Sequence, residues 1–117
     1  GVRLQCAKCH NHPFDRWTQA DYHDWSGFFA RVNYKVLENR YPDGLDKHGF
    51  TGEQIVYFAD EGEARHPGSG RVAAPRFLGA RDAVDGERDR LAALAEWLTA
   101  PENPRFARTQ VNRIWYH

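Results

Sequence analysis

The sequence predicts an α+β fold, mainly helical, with helices towards both ends and a small antiparallel sheet in the middle. Two patterns and one composition predict it. Apolar residues recur at spacings of three and four after residue 18, again over 91–98 and again from residue 106, the period of a buried helix face. Two runs rich in β-branched and aromatic residues, at 34–36 and 55–58, are separated by Pro-, Asp- and Gly-rich sequence, as paired short strands would be. Apolar residues make up 41% of the 117 and aromatics 14%, so a few large rings carry much of the burial.

Taken in order, residues 1–17 contain Cys6-Ala7-Lys8-Cys9-His10. Thr18-Gln19-Ala20-Asp21 then reads as a capping-box variant, with Thr18 as N-cap and Asp21 at the third helical position. The helix that follows places Tyr22, Trp25, Phe29 and Val32 on one face, with Gly27 as its weak point. Residues 39–52 read as a loop. Residues 60–70 turn again at Pro67-Gly68, and a short extended piece follows at 71–73. A polar linker at 82–87 leads into a helix over 86–99, with Leu91, Leu94, Ala95 and Leu98 on its apolar face and Pro101 beyond its end. Asn103 and Pro104 are the N-cap and first residue of a last helix. Its stripe is Phe106, Ala107, Val111, Ile114 and Trp115 or Tyr116. Asn112 and Arg113 interrupt that stripe, which predicts a buried polar contact. Trp17, Trp25 and Phe28 are expected in the core.

Sixteen basic and sixteen acidic residues cancel. A neutral chain has no general attraction for nucleic acid or an anionic membrane. No stretch is apolar for the length of a membrane span. No signal peptide is visible, and residues 1–5 and 112–117 both read as elements cut through. The expectation is a fragment of a larger protein, with the rest of that polypeptide as partner.

The chemistry lies in the cysteines. There are only two, both in one C-x-x-C, so no disulfide framework exists beyond that local pair. Followed directly by His10, they make a c-type haem attachment pattern. Residues three apart on a helical turn share a face, so both thiols can reach the two vinyl groups of one porphyrin. His10 is then the proximal iron ligand, and a second axial ligand tunes the potential. Methionine is absent from the chain and cannot be that ligand. His12 is too close to His10 to reach the opposite face, which leaves His23, His48, His66 and His117, or a ligand from elsewhere. His23 reads as a solvated histidine on the polar flank of its helix.

Other uses of the motif stay open. Cys6, Cys9, His10 and His12 offer four zinc ligands, although a tetrahedral site normally draws on a distant second pair. A dithiol of the thioredoxin kind wants a βαβ setting that is not evident. Asp15 and Arg16 read as an ion pair at a helix start, with Arg16 also suited to a haem propionate. Asp60, Glu61 and Glu63 read as a solvated acidic turn. No Ser-His-Asp arrangement, phosphate loop or H-E-x-x-H is present.

Over a long ungapped string the chain resembles a known family. The string Cys6-Ala7-Lys8-Cys9-His10-Asn11-His12-Pro13-Phe14-Asp15-Arg16-Trp17, continued by Phe28-Phe29-Ala30-Arg31-Val32, His66-Pro67 and Pro75-Arg76-Phe77-Leu78-Gly79, resembles the cytochrome-c-like domain of unknown function of large planctomycete-type exported proteins. Residues 94–108, with Val111-Asn112-Arg113-Ile114-Trp115, resemble the start of the partner domain that follows it. The resemblance implies two parts: 1–80, the C-terminal part of the cytochrome-c-like domain, and 81–117, a linker and the first helices of the partner domain. It implies an exported protein, periplasmic or on the cell surface, and supplies no reaction. Within it, His12 and His66 fall in matching stretches. Cys6, Cys9 and His10 are thus the candidate haem-binding residues, and His10, His66 and His12 the candidate metal ligands. The expected function is covalent haem c binding with electron transfer to an unknown redox partner. The alternatives are a structural or interaction module whose motif binds zinc or closes a local disulfide, and a haem enzyme with an open iron site.

Overall fold

The structure, a computed structural model, describes residues 4–46 and 48–116. It is α+β: a 3₁₀ turn at Leu4–Lys8, helix α1 at Gln19–Ser26, a second 3₁₀ turn at Gly27–Phe29, strands β1 at Val32–Asn39 and β2 at Gly52–Phe58, and helices α2 at Arg90–Thr99 and α3 at Pro104–Tyr116. Two compact units form. One joins the residues up to Phe29 with those from Glu63 onward; the other is Ala30–Gly62.

The first unit is organised by aromatic rings. Phe28 is 1% exposed. Its ring stacks on Phe77 with centroids 5.1 Å apart, and Phe77 stacks on Trp97 at 5.1 Å and an interplanar angle of 4°. Trp25 meets Phe28 and Trp97 edge-on at 5.5 and 5.8 Å. Offset and edge-to-face rings attract beyond the area they bury. Truncating Phe28 to alanine would cost about 3–5 kcal/mol. Ala7, Ala73, Ala93, Leu94 and Trp17 complete the buried apolar set.

α1 starts as its sequence predicts. The Thr18 hydroxyl accepts from Asp21 N at 3.1 Å, and Asp21 accepts from Thr18 N at 2.8 Å. Its end differs. The helix stops at Ser26 and tightens into the 3₁₀ turn, so Val32 opens β1 rather than extending a helix face. Gly27 sits at this point. A Cβ there would lie 3.0 Å from the Ala73 carbonyl oxygen and 3.3 Å from Pro75, so a larger residue would have to push residues 73–75 aside by a few tenths of an ångström. α2 begins at Arg90, later than expected, because Asp89 caps it by accepting from Leu91 N and Ala92 N at 2.9 and 3.0 Å. Its buried face carries Ala93 and Leu94, while Ala95 is exposed. α3 starts at Pro104 under Asn103, which accepts from Arg105 N at 3.3 Å. None of its described residues is buried, so Asn112 and Arg113 make no buried polar contact.

The second unit is an antiparallel ribbon. Tyr34 pairs with Val56 and Lys35 with Ile55, and the register slips between Val36 and Glu38. Both strands are longer than the apolar runs that signalled them. Asn39 closes the far end, accepting from Tyr41 N and Thr51 N and donating to Gly49 O at 3.0–3.1 Å. None of the unit's described residues is buried.

Candidate functional site

Cys6, within the 3₁₀ turn, and Cys9, just past it, are free and exposed. Ala7 between them is fully buried and anchors the turn. The loop after it is pinned to α1. The Lys8 carbonyl accepts from the Gln19 side chain at 3.1 Å and lies 3.3 Å from His23 Nε2, and Asn11 accepts from Gln19 N at 3.0 Å. His12 N donates to Trp17 O at 2.8 Å, and His12 Nδ1 accepts from Phe14 N at 3.2 Å. His12 is thus built into its own loop.

His10 is exposed, and its Nδ1 lies 2.7 Å from the Asn11 carbonyl oxygen. A carbonyl only accepts, so Nδ1 carries the proton. In the neutral ring Nε2 then keeps its lone pair. Metal-ligating histidines are typically oriented and made more basic by such a bond through the other ring nitrogen. Two free, exposed thiols and, next in sequence, an imidazole in this tautomer are the groups that a c-type haem would take up, the thiols as thioethers and the imidazole as an iron ligand.

His66 is engaged elsewhere. It is 8% exposed, and its Nε2 lies 2.9 Å from Asp24 Oδ1 and 2.7 Å from an Arg71 guanidinium nitrogen. The nitrogen can donate to the carboxylate or accept from the guanidinium, not both at once. Asp24 Oδ2 also accepts from Arg76 at 2.9 Å, and Arg76 reaches Asp21 at 3.1 Å. His23 is half-buried rather than solvated, its ring 5.3 Å from that of His66 and 5.2 Å from that of Tyr22. Sequence reasoning set His23 aside as a solvated histidine and passed over Asp24. The only signal was their place on α1 just after the motif, and their partners arise through the fold. His48 is exposed in the second unit, and His117 lies outside the described residues. Among the described residues, no group of three or more His, Cys, Asp or Glu side chains gathers as a metal cage.

Beside the turn that carries Cys6 runs a groove of about 610 Å³, with Leu4, Trp17 and Leu78 in its walls together with Arg16, Arg105 and Arg108. The Arg16 guanidinium stacks over the Trp17 ring at 4.8 Å and does not pair with Asp15. Arg105 lies 5.9 Å from the same ring. An apolar cavity of about 280 Å³ adjoins it, sharing Leu78, Arg105 and Thr109 and adding Trp25, Trp97 and Phe106. The expected acidic turn also differs in one residue: Glu63 binds Arg90 at 2.9 and 3.1 Å.

At its two ends the chain is similar to two families, both of unknown function. Residues 1–34 match the family PSCyt2, a protein of unknown function (DUF1549), and residues 89–117 match PSD1, a protein of unknown function (DUF1553). The first match takes in α1 and the start of β1, and the second takes in α2 and α3. No curated protein and no solved structure matches the chain significantly. No described helix is long and apolar enough to cross a membrane.

Proposed function

We propose that this segment binds one c-type haem covalently through Cys6 and Cys9, with His10 as axial ligand, and serves electron transfer. The observation that carries this reading is the bond from His10 Nδ1 to the Asn11 carbonyl beside two free, exposed thiols. When bound, the haem would supply a one-electron couple between ferric and ferrous iron. The chain's own residues do the rest. Cys6 and Cys9 would hold the porphyrin by thioether bonds, each thiol adding its sulfur to one vinyl carbon and its proton to the other, with nothing oxidised. Gln19 and His23 hold the Lys8 carbonyl and so fix the segment between the two thiols. The match of residues 1–34 to PSCyt2 supports the reading at the level of the family alone. The same reading makes the parent protein an exported one, periplasmic or on the cell surface, with residues 1–80 and 81–117 assigned to successive domains.

The test is a pyridine haemochrome spectrum of the full polypeptide, produced with cytochrome c maturation machinery, beside its Cys6→Ala, Cys9→Ala variant. The expected result is a c-type spectrum that survives denaturation and is lost in the variant. A colourless protein would sink the reading. Zinc found by metal analysis, or a Cys6–Cys9 disulfide found by mass spectrometry, would put a structural role in its place.

A further inference from the structure

The haem reading leaves the arginine-lined groove unexplained. Arg16, Arg105 and Arg108 face it, against the single carboxylate of Asp15. None of the three guanidiniums pairs with a carboxylate among the described residues. Three like charges converging on one groove repel one another unless an anion joins them. Two of them already lie near the Trp17 ring, which keeps their planes ordered for paired hydrogen bonds. The adjoining cavity is apolar and lined by Trp25, Trp97 and Phe106. Guanidiniums converging on one groove take an anionic group such as a carboxylate. Leu4, in the wall, belongs to the same 3₁₀ turn as Cys6.

We propose that the Arg16, Arg105 and Arg108 groove holds the propionate carboxylates of the porphyrin attached at Cys6 and Cys9. This rests on the haem reading above. Arginine and carboxylate form the short, charge-assisted, two-pronged pair that the groove's chemistry offers. Because Arg105 and Arg108 lie on α3, within the segment that matches PSD1, the second domain completes the haem site of the first. A guanidinium at the propionates also disfavours the added positive charge of ferric iron, so these arginines hold the potential up.

The experiment uses the full, haem-loaded polypeptide. Arg105→Gln with Arg108→Gln, and Arg16→Gln alone, are compared with the Arg→Lys versions. The measurements are haem content, midpoint potential and the propionate bending band in the resonance Raman spectrum. The expected result is full haem content, a lower potential and a displaced propionate band in the glutamine variants, with lysine restoring most of the potential. Full haem content with unchanged potential and band in every variant overturns the inference and leaves the haem reading standing. A colourless wild-type protein overturns the haem reading, and this occupant with it.

Discussion

Asp24 is a buried carboxylate that three side chains share. Its carboxylate is 8% exposed and serves His66, Arg71 and Arg76 at 2.9, 3.3 and 2.9 Å. Removing one member of a buried charge cluster strands the others in a poor solvent. Asp24→Asn keeps the shape, loses the charge, and is expected to destabilise the protein by about 3–5 kcal/mol. The urea midpoint should fall with an unchanged slope; a midpoint near wild type would mean that water reaches the cluster. Arg71 is different, since its side chain is 54% exposed. Arg71→Ala should cost less than about 1 kcal/mol in the same titration, and a larger loss would show that His66 depends on it. His66 itself shows why the motif was legible and its surroundings were not. Cys6, Cys9 and His10 are local in sequence. His66 meets a partner 42 residues away, a pairing that no spacing rule reveals.

Among the elements, those whose ends are set by near neighbours were the readable ones. The Thr18–Asp21 box and the Asn103-Pro104 start act over three residues or fewer, and both are found where their residue types place them. Asp89 acts over the same range, but the glycine-bearing linker before it hid the cap. Thr18→Ala and Asp89→Ala should each lower stability by about 1 kcal/mol, seen as a fall in thermal midpoint. An unchanged midpoint for Asp89→Ala would mean that α2 is held by packing alone. The weak point at Gly27 was legible in α1, but the close approach of Ala73 and Pro75 to it was not, since they arrive from far along the chain. The arginine groove escaped for the same reason, as α3 supplies two of its three cations.

At the scale of the whole molecule the two units differ in what sustains them. The ribbon of Ala30–Gly62 has no buried residue among those described, and an unsupported two-stranded ribbon is marginal in water. Its amides at β1 and β2 are expected to exchange with solvent hydrogen well before those of Ala93 and Leu94, which sit in the core of the first unit. Equal protection in an exchange experiment would contradict this. The stack of Phe28, Phe77 and Trp97 bears on how the chain can be divided. Phe28 falls in the segment matching one family, Trp97 in the segment matching the other, and Phe77 between them. A cut that separated the two matched segments would strip Phe77 of one of its two stacking partners, so the seam between them runs through shared packing.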